Sequence, residues 1–323
     1  MQTNERLLAI IENYLAQTDF PAEPQLLYAP IGYSLSGGGK RLRPMLVLLA
    51  CGIFSDNVQH ALPAAAAVEV FHNFTLLHDD IMDNAAMRRG KPSVYAKWGE
   101  NVAILSGDAM LIYAYRLLGE VCSPLLPRIL QTFNAMALEV CEGQQYDMDF
   151  EQKQKVSVVD YMHMIELKTS ALLTGASVIG ALLGGASEED CRKVRRFAVE
   201  LGLAFQLQDD LLDSYGDERL GKAIGGDILE GKKTYLMITA MSRADESMRE
   251  ALRAVYCDGT LSDTKKIAAV KDVYDRLDIP RLTEQQIQLR FERALSILET
   301  LPVEKSRLQP MREYAESLVG RNQ

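Results

Sequence analysis

Apolar residues recur at spacings of three and four along most of the chain, which is the pattern of amphipathic helices. Three stretches show it clearly, namely Leu7 to Tyr14, Val68 to Leu77 and Phe197 to Phe205. The strict alternation of apolar and polar residues that marks a half-buried strand is scarce, so few strands are expected. The pattern predicts an all-α protein with about ten or more helices.

Proline placement and capping patterns refine this prediction. No proline lies between Arg128 and Ile279, so long uninterrupted helices can form there. Capping-box patterns at Ser157 to Asp160 and at Ser187 to Asp190 predict two helix starts. The segment from Ser214 to Thr234 mixes five glycines with three lysines, which predicts a mobile basic loop. Because no linker or repeat is found, a single domain over residues 1–323 is expected.

The composition and net charge limit the classes of partner that the protein is expected to bind. The 323 residues are 48% apolar, enough for a sizeable core and too much for a disordered chain. The 44 Asp and Glu exceed the 35 Lys and Arg, for a net charge of −9, which argues against binding to nucleic acid or to an anionic membrane. The five cysteines are odd in number and lack a CxxC, so we expect reduced thiols and a cytoplasmic protein.

Neither apolar segment that resembles a targeting or membrane sequence is expected to act as one. The start, Met1 to Ala16, carries charges within its apolar pattern and predicts an amphipathic helix instead of a signal peptide. Thr169 to Ser187 has 19 residues without a charge, close to a spanning length of about 20. Its glycines and hydroxyl residues favour a buried helix that packs closely against neighbours, and no transmembrane segment is predicted.

One acidic pattern occurs twice, as DDIMD at Asp79 to Asp83 and DDLLD at Asp209 to Asp213. Each lies in the C-terminal part of a predicted helix, where the helix dipole and the i to i+4 repulsion both disfavour carboxylates. A single such motif is also typical of a solvated acidic helix end. Two of them within apolar helical sequence indicate bound cations, and carboxylate ligands suit Mg²⁺, which shares its shell with phosphates.

Basic residues indicate the anion that such metal ions would bind. The stretch GGGKRLRP contains Lys40 and Arg43 and opens a predicted helix through a glycine turn, as a phosphate cradle does. The other candidates are Arg88, Arg89, Lys168 and the helix residue His72. Each also has an ordinary interpretation, as a flexible loop, a surface cation, a snorkelling lysine or a core histidine. Together they fit two diphosphate groups better than one.

These segments resemble the trans (head-to-tail) isoprenyl diphosphate synthase family from about Gly38 to Thr234. The matching elements, in order, are GGKRLRP, the His72 helix leading to DDIMD, RRG at Arg88, LKT at Leu167 and FQLQDDLLD at Phe205, completed by a GK…GGD…GKKT tail. The resemblance implies an isoprenoid synthase fold, a single large helical bundle around a central cavity. It also implies that the two acidic motifs face each other and that the protein is usually a homodimer.

The resemblance also implies residue roles. Three Mg²⁺ ions are expected, with Asp79 and Asp83 as ligands of two, Asp209 as a ligand of the third, and Asp210 and Asp213 assisting. The expected ligands of the allylic diphosphate are Arg88, Lys168 and Lys222. The residues expected to be catalytic are these two lysines together with Asp79, Asp83 and Asp209. Those of the isopentenyl diphosphate group are Lys40, Arg43, His72 and Arg89. The residues expected near the reacting carbons are Thr169, Phe205 and Gln206, with Gln144 and Asp147 beside them.

The implied reaction is the condensation of isopentenyl diphosphate with dimethylallyl, geranyl or farnesyl diphosphate. Phe74 lies five residues before Asp79, about 7.5 Å along the helix, and Phe71 lies a turn deeper. An aromatic floor there resembles short-chain synthases, so we expect mainly geranylgeranyl diphosphate, with farnesyl or longer products as the alternative. The competing interpretation is that both phenylalanines simply belong to the core.

Three other functions fit the sequence less well. A terpene cyclase shares the helical fold but would not need a second DDxxD motif or a second diphosphate site. A noncatalytic prenyl synthase subunit is expected to have lost one acidic motif, and both are intact here. An acidic cation-binding structural protein would not explain the basic clusters.

Overall fold

Helix makes up 79% of the computed structural model, which describes residues 3–216, 224–257 and 261–319. The predicted all-α class is therefore confirmed. Within the described residues, strand is confined to the antiparallel pair Met87–Arg88 and Lys91–Pro92. The number of helices exceeds the minimum predicted from the sequence.

The helices, in chain order, are α1 (Asn4–Ala16), α2 (Gln25–Leu35), α3 (Leu42–Phe54), α4 (Leu62–Met82), α5 (Val94–Trp98), α6 (Glu100–Gly119), α7 (Leu126–Gln152), α8 (Val158–Ile165), α9 (Ala171–Leu183), α10 (Glu188–Tyr215), α11 (Gly226–Glu230), α12 (Tyr235–Arg243), α13 (Glu246–Cys257), α14 (Asp263–Arg276), α15 (Ile279–Leu298) and α16 (Lys305–Val319). A 3-10 turn spans Gln59–Ala61, and a π-helical turn, Glu166–Ser170, joins α8 to α9.

The chain divides into two compact units. The first unit comprises Met1–Met136, Leu172–Arg195 and Leu298–Tyr314, and the second comprises Ala137–Ala171, Arg196–Ile297 and Ala315–Gln323. The first acidic motif belongs to the first unit and the second motif to the second unit. The prediction of a single domain over residues 1–323 stays a prediction.

Helix α4 forms the centre of the first unit. Its first half is buried on all sides, and the four alanines Ala64 to Ala67 present so little side chain that neighbouring helices can approach closely. Helices α3 and α6 pack along it. Gly107 of α6 lies against the imidazole ring of His78, where a Cβ atom would come within 2.3 Å of Nε2. The close packing holds the acidic end of α4 in place.

The second unit has a core of its own. The later part of α10 contributes Leu203, Leu207 and Leu211, which pack with residues of α12 and α14 such as Leu236 and Tyr274. All five are buried. The second acidic motif follows directly on this apolar face, because Asp209 and Asp210 occupy the turn between Leu207 and Leu211.

Helix boundaries confirm much of the local sequence reasoning. Ser157 and Asp160 form the predicted capping box of α8, with both reciprocal hydrogen bonds present. Ser187 likewise accepts the backbone N–H of Asp190 at 3.1 Å at the start of α10. Of the two longest helices, α10 with 28 residues lies wholly in the proline-free region, and α7 with 27 residues has its one proline, Pro127, at its second position.

The predicted basic loop from Ser214 to Thr234 is more ordered than expected where the structure describes it. Helix α11 lies within it, bracketed by Gly225 and Gly231, which both adopt left-handed conformations. Its first turn is capped because the backbone N–H of Asp227 donates to the Asp213 carboxylate at 3.0 Å. The glycines thus delimit a short helix, whereas residues 217–223 lie outside the described residues.

Two helical stretches, Glu100–Gly119 and Val158–Leu183, have the length and hydropathy of a membrane span. The core helix of a folded domain satisfies the same criterion. In the second stretch, 78% of the most apolar segment is buried inside the protein. This agrees with the buried helix expected for Thr169 to Ser187. Gly180 shows the expected close packing, since a Cβ atom there would lie 2.1 Å from the Val47 carbonyl oxygen.

Candidate active site

The first acidic motif ends α4, and its three carboxylates divide into two groups. Asp79 is half-buried and Asp83 is exposed, one turn apart on the same helix face. Asp80 is buried, and its Oδ1 accepts hydrogen bonds from Arg88 Nε at 2.8 Å and Nη2 at 2.5 Å. Burial raises the pKa of the Asp80 carboxyl, while the hydrogen bonds and charge of Arg88 oppose that rise. The outer two carboxylates are therefore the accessible ones.

A tight reversal after α4 brings Arg88, one of the candidate basic residues, back onto the motif. Asn84 and Arg89 adopt left-handed conformations, with φ of 49° and 52°, around the short strand pair. Such conformations are costly for residues other than glycine and are retained where the surrounding structure determines them. The strain is thus placed beside the predicted metal ligands.

The glycine-rich turn before α3 has the geometry of the predicted cradle. Gly38 and Gly39 have φ of 74° and 132°, and α3 begins at Leu42, after Lys40 and the N-cap residue Arg41. The Arg89 guanidinium donates to the Gly38 carbonyl and lies against Gly39, where a Cβ atom would come within 3.0 Å of it. The positive φ of Gly39 favours glycine there, and the contact with Arg89 joins the turn to the hairpin that carries Arg88 and Arg89.

His72 lies among the same cations. It is buried in α4, and its pKa is lowered well below 6.5 by burial and then by the charges of Arg43, Arg89, Arg88 and Arg41. The imidazole is therefore neutral at physiological pH and can donate one hydrogen bond without adding charge. The first unit thus brings together most of the predicted isopentenyl diphosphate ligands.

The second acidic motif repeats the division seen in the first. Asp210 is buried and accepts hydrogen bonds from the Tyr161 hydroxyl, from Gln206 Nε2 at 2.9 Å and from the Tyr235 backbone N–H at 3.5 Å. Burial raises the pKa of Asp210 to about 7, although these hydrogen bonds oppose the rise. Asp209 and Asp213 are half-buried on the other side of the helix turn.

Asp227 joins these carboxylates from the start of α11. Burial, and then the charges of Asp213 and Asp210, raise the pKa of Asp227 to about 7. Lys232 balances part of this charge, with Nζ 4.0 Å from the Asp227 carboxylate and 2.8 Å from that of Glu230. The sequence contained a signal for Asp227 in the GGD of the basic tail, but no role was assigned to it.

The π-helical turn carries Lys168 and Thr169. Lys168 Nζ lies 2.6 Å from the Asp147 carboxylate, and the Thr169 hydroxyl donates to Gln206 Oε1 at 2.8 Å. Because Gln206 in turn donates to Asp210, a hydrogen-bonded chain runs from the turn to the acidic motif. The second unit thus brings together Lys168, Thr169, Gln206 and Asp147, and their roles toward a substrate stay predictions.

Two glycines hold the π-helical turn from either side. A Cβ atom on Gly143 of α7 would lie 2.2 Å from the Lys168 backbone nitrogen. One on Gly202 of α10 would lie 2.3 Å from Ser170 Oγ. Single π turns are frequent at functional sites, and here the small neighbours leave room for the wider backbone.

The remaining predicted residues are placed as follows. Phe205 is half-buried next to Gln206 on α10, and Gln144 lies on α7 one turn before Asp147. Lys222 lies outside the described residues. The opposition of the two acidic motifs across a central cavity stays a prediction.

An aromatic cluster lies below the first acidic motif. Phe74 is half-buried, and its ring centroid is 5.5 Å from that of Phe71, which is fully buried. Phe71 also packs edge-on against Phe133 of α7 at 5.3 Å. Phe71 is thus a core residue, as the alternative interpretation held for both phenylalanines, and the role of Phe74 as a floor stays a prediction.

The residues present suit Mg²⁺. Among residues 3–216, 224–257 and 261–319, no three His, Cys, Asp or Glu side chains are grouped so as to hold a metal ion by themselves. Each motif instead offers its outer carboxylates as hard oxygen ligands. Mg²⁺ typically takes one or two protein carboxylates and completes its shell with waters and substrate phosphates.

Besides Asp227, sequence reasoning missed two further contributors to the site. Glu69 forms a buried ion pair with Arg41 beneath the glycine turn, and Tyr161 donates to Asp210. Glu69 did have a signal, because it is the one charge in the apolar run from Leu62 to Phe71, where a buried charge requires a partner. Nothing in the sequence marks Tyr161.

The chain resembles known proteins in both sequence and structure. A family model described as polyprenyl synthetase matches residues 24–277. The geranylgeranyl diphosphate synthase of Methanosarcina mazei is 40% identical over 276 residues, covering 80% of this chain and 85% of that protein. The short chain isoprenyl diphosphate synthase of Methanocaldococcus jannaschii is 40% identical over 247 residues, covering 76% of this chain and 75% of its own. A crystal structure of a geranylgeranyl pyrophosphate synthase matches with a TM-score of 0.95 and 40% identity, over 100% of both chains.

Proposed function

Because this chain belongs to the polyprenyl synthetase family and is a trans-prenyltransferase, we propose that it makes geranylgeranyl diphosphate from isopentenyl diphosphate and an allylic diphosphate. The observation that carries the product assignment is the 40% identity to geranylgeranyl diphosphate synthases over most of the chain. The isoprenoid synthase fold that the resemblance implied is shown by the matching solved structures.

The first half of the reaction separates charge. The allylic C–O bond breaks, which leaves a diphosphate anion and a delocalised carbocation. The family is Mg²⁺-dependent, and the metal ions supply positive charge to the leaving diphosphate. We assign their binding to Asp79, Asp83, Asp209 and Asp213, with three ions in total. Arg88, Lys168 and Lys222 add fixed cations to the same diphosphate.

The second half forms the new bond. The double bond of isopentenyl diphosphate attacks the allylic cation, a C–C bond forms, and a proton passes to the departing diphosphate. In this proposal Lys40, Arg43, His72 and Arg89 hold the second diphosphate. The charges of Arg43 and Arg89 act on the neutral imidazole of His72, and Lys40 directly follows the glycine turn in the chain. Thr169, Phe205 and Gln206 line the path of the reacting carbons and exclude water that would quench the cation.

Phe74 limits the product length in this proposal. Its ring lies about 7.5 Å along the helix axis from Asp79, and Phe71 and Phe133 back it from below. Replacing Phe74 with alanine removes the first layer and should lengthen the main product by at least one isoprene unit. Sizing the products by chromatography measures this, and an unchanged product from a folded variant would remove Phe74 from the assignment.

We also propose that the protein is a homodimer. Helix α6 exposes Ile104, Leu105, Ile112 and Tyr115, of which Leu105 and Ile112 are 59% and 68% exposed. Residues seven apart lie two turns apart on one helix face, so the pair forms an apolar stripe that a second copy would cover.

A cytoplasmic location is proposed from the thiols. The cysteines at positions 51, 122, 141 and 191 are all free, which suits a reducing compartment.

The test of the function is a primer assay. Purified protein is incubated with labelled isopentenyl diphosphate, Mg²⁺ and each of dimethylallyl, geranyl and farnesyl diphosphate, and the products are sized. A twenty-carbon main product is expected. Omitting Mg²⁺ is the control and should abolish turnover. A main product that stops at farnesyl or extends well beyond twenty carbons would contradict the assignment, as would failure to elongate every primer.

A further inference from the structure

A buried ion pair lies directly beneath the glycine-rich turn. Arg41 Nη1 lies 2.9 Å from Glu69 Oε1, and Arg41 Nη2 donates to the Leu35 carbonyl at 2.8 Å. Arg41 is only 8% exposed and Glu69 only 1%. Buried ion pairs often stabilise a fold no better than apolar residues of the same size. Stability alone therefore does not account for this one.

The backbone at Arg41 supports a specific role. Arg41 is the N-cap of α3 and adopts the left-handed conformation, with φ of 47° and ψ of 36°. This conformation is unfavourable for a residue other than glycine. The Arg41 side chain is bonded to both Glu69 and Leu35, so the strained turn is held by the same contacts that bury the guanidinium.

The pair belongs to a network that connects three helices. Glu69 Oε1 also accepts from Asn73 Nδ2 at 3.3 Å, and the Asn73 amide donates to the Glu69 carbonyl at 2.9 Å. Asn73 Oδ1 accepts from Ser34 Oγ at 3.5 Å. The network therefore joins the end of α2, the start of α3 and the middle of α4.

This network adjoins the residues assigned to the second diphosphate. Lys40 and Arg43 flank Arg41 in the chain, and His72 lies one helical turn after Glu69 on α4. If the contact between Arg41 and Glu69 changed, the turn that carries Lys40 and Arg43 would move relative to the imidazole of His72. Misplacement by about 1 Å can cost a large factor in binding or rate.

We propose that Glu69 and Arg41 are positioning residues for isopentenyl diphosphate. Their buried pair fixes the Gly37–Arg43 turn against α4, so that the cations of the turn and His72 converge on one diphosphate group. Neither side chain touches the substrate. The inference rests on the proposed function, because it takes the occupant of this site to be isopentenyl diphosphate.

The test measures binding and kinetics separately. Glu69→Gln and Arg41→Lys should each raise the KM of isopentenyl diphosphate and its Kd by about tenfold, while kcat and the KM of the allylic primer change less than about twofold. Binding is measured by calorimetry with isopentenyl diphosphate alone, so that the Kd does not depend on turnover. Thermal unfolding identifies the variants that fold.

Two further variants separate positioning from stability. In the double variant Arg41→Met, Glu69→Met, both charges are gone and stability should recover relative to the single variants, whereas binding stays weak. Glu200→Gln breaks the partly buried Glu200–Arg290 pair of the second unit, 3.0 Å apart, and is the matched control. It should lower stability without a selective effect on isopentenyl diphosphate.

The outcomes discriminate between the inference and the function. An unchanged Kd in folded Glu69→Gln and Arg41→Lys, or a double variant whose binding recovers with its stability, would overturn the positioning role. Wild-type protein that binds isopentenyl diphosphate but condenses it with no primer would defeat the proposed function instead. If Glu69→Gln does not fold, Arg41→Lys carries the test, because it keeps the charge balance.

Discussion

Asp80 and Asp210 occupy the same position in the two acidic motifs, and both are buried and bound by neighbouring donors. Arg88 holds Asp80, while Tyr161 and Gln206 hold Asp210. The middle aspartate of each motif therefore fixes the helix end and its basic or polar partners. The outer aspartates are less buried, and they are the ones that we propose as ligands of the metal ions.

This division predicts different phenotypes for adjacent aspartates. Asp79→Asn should lower kcat by about 10²–10³ and raise the Mg²⁺ concentration needed for half-maximal rate, because a metal ligand is lost. Asp80→Asn should leave the Mg²⁺ requirement unchanged and lower the free energy of unfolding by about 1–3 kcal/mol, because Arg88 loses its partner. Mg²⁺ titration of the rate and urea unfolding measure the two effects. Equal shifts in Mg²⁺ requirement would contradict the division.

The lowered pKa of His72 predicts that the stability of the protein depends on pH. Its pKa is lowered by burial and by the surrounding arginines, so below about pH 6.5 the unfolded chain binds a proton there that the folded chain does not. The contribution of neutral His72 to the free energy of unfolding is thus fully present above about pH 6.5 and is lost as the pH falls below it. His72→Gln should therefore lose less stability than wild type between pH 7.5 and 5.5.

Thermal unfolding at both pH values measures the difference. His163→Gln, at an exposed position of α8, is the matched control. Parallel losses in wild type and His72→Gln would contradict the assigned neutral state of His72.

At the scale of single elements, the π-helical turn depends on its neighbours. Gly143 and Gly202 both contact the turn at distances that no other residue allows. The wider π turn displaces the backbone sideways, and Lys168 and Thr169 take their positions from that displacement. The glycines therefore contribute to the site without presenting a side chain to it.

Gly202→Ala should disturb this arrangement. The added methyl group would meet Ser170 and should lower the free energy of unfolding by about 1–3 kcal/mol, with a fall in kcat as Thr169 and Gln206 separate. Gly119→Ala, at the open end of α6, is the control, since nothing lies within 4 Å of an added Cβ. Urea unfolding and steady-state rates measure both. A Gly202→Ala enzyme with normal stability and kcat would show that the turn tolerates the contact.

Much of this local structure could be predicted from the sequence, for identifiable reasons. Ser157 with Asp160, and the glycines before Lys40, act through the nearest residues, so short patterns suffice. Helix α11 was missed because its cap, Asp213, lies fourteen residues from Asp227 and belongs to another helix. The Tyr161 partner of Asp210 and the Arg41 partner of Glu69 were missed for the same reason, as each contact depends on tertiary packing.

At the scale of the whole molecule, the exposed stripe on α6 is the feature that calls for a partner. Ile112→Lys combined with Leu105→Lys should convert a dimer of twice 36.0 kDa into a monomer of 36.0 kDa, because two buried charges would oppose association. Val159→Lys, at an exposed position of α8, should leave the mass unchanged. Light scattering after size exclusion measures the mass. A dimer that survives both lysines would place the interface elsewhere.

The Glu69–Arg41 and Asp80–Arg88 pairs have a consequence for selectivity against unrelated anions. Two of the guanidinium groups around His72 are already matched by internal carboxylates, so this region is a weaker ion exchanger than its arginine count suggests. Nucleotides and inorganic phosphate, which are abundant in cells, therefore gain little electrostatic free energy by binding to this region. A prenyl diphosphate gains more binding free energy, because its hydrocarbon tail adds a hydrophobic contribution that nucleotides and inorganic phosphate lack.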